Sequence, residues 1–163
     1  LLFVNDGRGR LTEIGRSAGT GFEPERVSRG LFVADIDNDG DLDMLITNNG
    51  QTVDLLRNDS GNSGNVIVVR LVGAKGNRDG IGARLRVTSG AHSWLRDVRA
   101  GSSYLGQNDL RVHVGLGAAT QVDVEVRWPN GVTESVKGVA ANHIVTVSEG
   151  KGMTSRVPLA ARR

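Results

Sequence analysis

From Val66 onward apolar and polar residues alternate in short runs: VIVVRLV from Val66, ARLRVTS from Ala83, WLRDV from Trp94, LRVHVGL from Leu110, VDVEVRW from Val122 and HIVTVS from His143. A period of two places successive side chains on opposite faces of a strand, so each run predicts a strand with one buried face. In VDVEVRW, Val122, Val124, Val126 and Trp128 fall on one face and Asp123, Glu125 and Arg127 on the other, the pattern of a half-buried antiparallel strand. Glycine and asparagine at PNG (Pro129 to Gly131), NRDG (Asn77 to Gly80) and GLGAAT (Gly115 to Thr120) supply the reversals. Six or seven such strands predict an antiparallel β-sandwich or barrel-like domain over residues 65–150. After Gly150 the segment KGMTSRVPLAARR loses the alternation and gains basic residues, which predicts a frayed basic tail over 151–163.

Residues 1–64 read differently. Setting LFVNDGRG (Leu2 to Gly9) against LLRNDSGN (Leu55 to Asn62) aligns Asn5 with Asn58 and Asp6 with Asp59, an internal repeat with a shift of 53 residues. Within one repeat, strand signals recur near RLTEIG, GLFVAD and LDMLITNN. A period near 50 built from short strands is that of a propeller blade, a unit that cannot bury its faces without neighbours. Residues 1–64 are therefore expected to be the C-terminal end of a longer propeller-type array, with upstream blades or neighbouring copies covering its faces. No long amphipathic helix interrupts either part, so the expected fold class is all-β: partial propeller-type blade, then sandwich or barrel.

Composition sharpens this picture in three places. Glycine is 23 of 163 residues without a G-x-y period, which fits many tight turns rather than collagen or a linker. Cysteine is absent, removing disulfides, thiolate zinc sites and thiol nucleophiles. No apolar run approaches the roughly 18 residues of a membrane span, and LLFVNDGRGR lacks the features of a leader, so the chain is expected to begin within or after processing of a longer protein. The net charge of +2 divides into −5 over residues 1–64 and +7 over residues 65–163. The basic half does not predict nucleic-acid binding, because its arginines alternate with apolar residues and aromatic residues are only 4%.

The acidic half concentrates its charge. DIDNDGDLD, Asp35 to Asp43, holds five carboxylates in nine residues. Carboxylates this close repel and raise one another's pKa, so a folded loop that gathers them calls for a cation. Asp35, Asp37, Asp39 and Asp43 stand at loop positions 1, 3, 5 and 9, with Gly40 at position 6 and Asp41 at position 7. Alternate residues of a curled loop point inward, glycine permits the sharp turn and position 7 can supply its backbone carbonyl, which is the spacing of Ca²⁺ ligands. An EF-hand needs a bidentate glutamate at position 12; Ile46 stands there, in a strand-like segment, which leaves a calcium loop between two strands.

These residues carry two resemblances. GLFVADIDNDGDLDMLITNNG is similar to the FG-GAP, or VCBS, calcium-binding repeat. That likeness implies side-chain ligation by Asp35, Asp37, Asp39 and Asp43 and carbonyl ligation by Asp41. VRLVGAKGNRDGIGARLRVTSG, GSSYLGQNDLRVHVGLG and VDVEVRWPNGV, in that order, resemble the ASPIC and UnbV domain that follows such repeats in a cartilage acidic protein-like family. The resemblance implies an exported calcium-binding protein of adhesive, matrix or surface type, extracellular or periplasmic, with a protein or glycan partner. Some bacterial relatives accompany enediyne biosynthesis genes, so a component of such a pathway is the competing expectation.

No catalytic constellation stands out. His92, His113 and His143 lie 21 and 30 residues apart without an H-E-x-x-H, and alternation predicts that His113 faces solvent. Ser102 and Ser103 lack a G-x-S-x-G elbow, and GLGAAT lacks the lysine of a phosphate loop. Trp94, Tyr104 and Trp128 are candidates for a sugar platform or, more simply, for core and rim packing. Asn58 to Ser60 forms an N-glycosylation triplet.

Overall fold

The computed structural model describes residues 1–59 and 64–161. Its first element is a hairpin of β1 (Phe3–Asn5) and β2 (Leu11–Glu13). The Asp6 carboxylate holds the turn by accepting from the amides of Arg8 and Arg10 at 2.7 and 3.2 Å. Two single 3₁₀ turns, Gly15–Ser17 and Thr20–Phe22, lead to β3 (Ser28–Ala34), β4 (Asp43–Asn48) and β5 (Asp54–Leu56), an antiparallel three-stranded sheet. Ile46 sits inside β4, opposite Leu31, as the strand reading required. The N-terminal part is thus a two-stranded and a three-stranded sheet. The matched segments of the repeat overlap β1 and β5, the second extending into positions 60–62, outside the described residues. Phe3, Val4, Leu11, Val53 and Leu55 are all exposed.

The second part holds eight strands: β6 (Asn65–Val72), β7 (Arg84–Ser89), β8 (His92–Asp97), β9 (Val112–Gly117), β10 (Gln121–Arg127), β11 (Thr133–Ala140), β12 (His143–Ser148) and β13 (Gly152–Pro158). They form two four-stranded sheets, ordered β11-β10-β7-β8 and β13-β12-β6-β9, with no barrel closure. Between the sheets lies one core, in which Ile67, Leu85, Val87, Val114, Val124 and Val145 are fully buried. Val122, Val124, Val126 and Trp128 all enter it, so the alternation of β10 is realised residue by residue. Pairing is antiparallel except between β6 and β12, which run parallel from His143 opposite Ile67 to Ser148 opposite Val72.

Three expectations change. The tail does not fray after Gly150: β13 pairs with β12 to Pro158, and the chain then donates from Ala160 to the Asn38 carbonyl at 2.7 Å. Its side chains are mostly exposed, so backbone hydrogen bonds rather than an apolar face hold it, and no alternation marks it. β11 escapes pattern reading for another reason: Val136 and Val139 reach the core, but a register shift at Val122/Val124 breaks the alternation between them. β6 is not half-buried: Val66 and Val68 are covered as well as Ile67 and Val69. An unbroken VIVV run marks a strand buried on both faces, and here Val68 lines a recess together with Val33 and Leu42 of the N-terminal part.

The core draws no residue from positions 1–59. Residues 65–161 expressed alone are therefore expected to melt cooperatively, whereas residues 1–64 alone are expected to aggregate or stay unfolded. Calorimetry and sedimentation of the two pieces test this; a monomeric, cooperatively melting 1–64 fragment would contradict it.

Candidate metal centre and the joint around it

The acidic loop is closed at its base by strand pairing, with Ala34 in register with Asp43. Asn38 (φ 61°) and Gly40 (φ 94°) take left-handed conformations that curl the chain between them. Gly40 N–H then donates to Asp35 Oδ2 at 3.0 Å and Asp41 N–H to Asp39 Oδ1 at 2.9 Å. This curl brings one carboxylate oxygen from each of Asp35, Asp37 and Asp39 within 4.8 Å of one another. Asp35, Asp39, Asp41 and Asp43 are buried, Asp35 to 2% exposure, and Asp37 is half-buried.

Two oxygens in the cluster, Asp35 Oδ1 and Asp37 Oδ1, are buried and accept no hydrogen bond. A buried carboxylate oxygen without a donor costs on the order of 1–3 kcal/mol or more, so its place in a curled acidic loop points to a positive ligand. Burial pushes the Asp35 carboxyl above its ordinary value; the Gly40 N–H and the Arg111 charge pull against this, and the Asp39 charge adds to it. The donor set is all hard oxygen and fits a metal ion. Asp43 is placed differently: its Oδ2 accepts from Ile36 N–H and its Oδ1 from Asn58 N–H, both at 2.9 Å, which fastens the end of β5 to the loop. Asp41 lies buried beside the cluster.

Around this loop the structure reveals a joint that sequence spacing did not expose. Arg111 donates from Nε to Asp109 Oδ2 at 2.5 Å, from one terminal nitrogen to Asn38 Oδ1 at 2.5 Å and from the other to the Asp35 carbonyl at 2.8 Å. His113 does not face solvent; its Nε2 lies 2.7 Å from the Gly40 carbonyl, and because a carbonyl only accepts, Nε2 carries the proton. Along β3, Asn108 Oδ1 accepts from Val33 N–H at 3.0 Å, Asp109 N–H donates to the Val33 carbonyl at 3.1 Å, and Ser103 Oγ accepts from Leu31 N–H at 3.1 Å. The segment GSSYLGQND thereby covers the free edge of β3. Gly106 makes this approach possible, since a Cβ there would come within 2.0 Å of the Phe32 ring. The partners lie some 70 residues apart in the chain, so no local pattern could announce them.

The remaining candidates disperse. His92 stacks on Trp94 with centroids 6.0 Å apart, and His143 Nδ1 meets the Ala141 carbonyl, so the three histidines serve three separate places. Trp128 is buried in the core, Trp94 packs at its margin and Tyr104 is exposed, so they form no common platform. Ser102 Oγ accepts from Asn108 N–H within the covering segment. Of the glycosylation triplet, Ser60 lies outside the described residues.

Comparison with known proteins places this architecture. The chain is 33% identical over 140 residues to "Cartilage acidic protein 1" of Mus musculus, covering 79% of this chain and 21% of the relative. It is 33% identical over 140 residues to the Homo sapiens protein of that name, covering 80% and 20%, and 30% identical over 138 residues to that of Xenopus tropicalis, covering 80% and 21%. The chain thus spans about a fifth of the length of the relatives it matches. The family model described as "ASPIC and UnbV" matches residues 73–154, half of the chain, from the end of β6 into β13, and the chain belongs to the ASPIC and UnbV family.

Proposed function

We propose that this chain is a calcium-stabilised joint, in which a repeat of FG-GAP or VCBS type is locked onto an ASPIC and UnbV sandwich in a non-catalytic binding or adhesion module. The observation that carries the reading is the pair of unpartnered buried oxygens, Asp35 Oδ1 and Asp37 Oδ1, in a loop whose backbone is held from the sandwich by Arg111 and His113. Calcium suits an irregular set of six to eight oxygens, whereas Mg²⁺ favours few protein ligands and several waters. Asp35, Asp37 and Asp39 are the first ligands, with Asp43 and the Asp41 carbonyl completing the set. The polar groups in the recess beside the loop, Asn108, Asp109, Arg111 and His113, are engaged in holding backbone, which suits a scaffold better than a reaction centre. A loop of this class works where calcium is plentiful, outside the cytoplasm, and the partner is a protein or glycan surface.

Isothermal titration of the chelator-stripped chain tests the reading. One Ca²⁺ per chain is expected, bound at least about tenfold more tightly than Mg²⁺, and lost when Asp37 and Asp39 are both changed to Asn. No heat of binding in millimolar calcium would overturn it.

A further inference from the structure

On the outer face of the β11-β10-β7-β8 sheet, charges pair across strands by opposite sign. Arg86 of β7 stands in register with Glu125 of β10, 3.9 Å apart, and Lys137 of β11 meets Asp123 of β10 at 2.9 Å. One row breaks this rule. Arg127 of β10 stands in register with Arg84 of β7, a like-charge pair directly opposed, which destabilises a sheet unless negative charge lies between. Asp97 of β8 ends the row, but it accepts from Arg84 Nε at 2.7 Å and also from Arg99 at 3.1 Å. Two guanidinium groups, those of Arg84 and Arg99, therefore share one carboxylate, and Arg127 has no ion-pair partner among the described residues.

The row borders a recess of about 300 Å³ that Arg84, Asp97, Arg127, Trp128, Gly82 and Gly131 line. Gly82 (φ 88°) and Gly131 (φ 87°) add no side chain to its wall, and the Pro129 ring stands beside Gly82. The indole N–H of Trp128 is buried and has no acceptor. The guanidinium groups of the lining thus outnumber its one carboxylate, whereas the Trp128 indole belongs to the core on the opposite face of β10 and offers no donor here.

We propose that this recess binds an oxyanion, the sulfate ester of an acidic glycan chain. A sulfate ester keeps its negative charge at all physiological pH values and presents several acceptor oxygens to the two guanidinium forks of Arg84 and Arg127. The open sheet face has Leu95 as its exposed large apolar side chain, too little for the apolar centre of a protein interface. It also lacks the exposed aromatic rings on which nucleic-acid bases stack. The site lies on the sheet farther from the acidic loop and stands whether or not that loop holds calcium.

The probe is a heparin-derived hexasaccharide, titrated into the full chain at constant calcium and about 0.1 M salt. Arg127→Gln is expected to weaken binding roughly tenfold, while Arg156→Gln, which removes the same charge from β13 of the other sheet, stays within about twofold. Arg127→Gln is also expected to melt no lower than the parent, since it relieves the opposed charges. The proposal is overturned by equal losses in both variants, which would indicate net charge alone. Equal affinity for the desulfated hexasaccharide overturns it, as does tighter binding of a polyglutamate of matched charge, which would indicate an acidic protein. Absence of hexasaccharide binding does the same.

Discussion

Stripping calcium from this chain is expected to lower the melting temperature of its N-terminal part while leaving the sandwich nearly unchanged. A ligand that binds only the folded state stabilises it by about 2.7 kcal/mol at a hundredfold excess over Kd, which for a cooperative unit the size of the N-terminal part moves a transition by roughly 10–20 °C. Both tryptophans, Trp94 and Trp128, belong to the sandwich, so their fluorescence follows that half and calorimetry follows both. A calcium-dependent calorimetric transition with a calcium-independent fluorescence transition is the expected pair of results. The pH dependence has a definite sign. In the metal-free chain the Asp35 carboxyl sits above its ordinary value through burial, so the folded state holds its proton where the unfolded chain has lost it. Stability is then full below the unfolded value of Asp35 and falls as pH rises through the folded one. Bound calcium favours the ionised carboxylate and removes that fall. Melting independent of calcium would remove the basis for the calcium loop.

Arg111→Met is expected to loosen the joint from the side of the sandwich. Three donated hydrogen bonds vanish together, to Asp109, Asn38 and the Asp35 carbonyl, from a side chain that is about three-quarters buried. Charge-assisted bonds of this kind contribute about 1.5–3 kcal/mol each in isolation. With the Asp109 pair set aside as partly screened by solvent, the other two give a total loss of roughly 3–6 kcal/mol. Arg111→Lys should restore little of it, because an ammonium cannot reach three acceptors set around a planar fork. The readout is the calorimetric transition of the N-terminal part, measured with calcium present; Arg86→Met, at an exposed pair 3.9 Å apart, should change it by less than about 0.5 kcal/mol. Equal behaviour of the two variants would mean that Arg111 does not hold the loop.

Both expectations draw on different layers of the same chain. The alternation of VDVEVRW determined which face of β10 is buried, because a strand has a strict period of two and an interface to fill on one side only. The carboxylate spacing of DIDNDGDLD likewise determined that Asp35, Asp37 and Asp39 converge, since a tightly curled loop of nine residues leaves few other ways to place them. Edge strand β13 was illegible because backbone pairing holds it and its exposed side chains carry no pattern, and β11 because a register shift breaks the alternation between Val136 and Val139, which reach the core.

What only the tertiary structure decided is who meets whom across long separations. Nothing in VIVV says what covers the second face of β6, yet the loop and β3 lie against it. His113 looked like a solvent-facing member of an alternating strand, and it became a donor to Gly40 because that face of β9 is not solvent. Arg84 and Arg127, 43 residues apart and unremarkable in sequence, face each other only through the register of β7 with β10. A short chain segment determines its own periodicity and curl through local sterics and burial. Contacts between segments depend on how the two sheets and the N-terminal part pack, and that free energy is shared among residues too distant in the chain to leave a local mark.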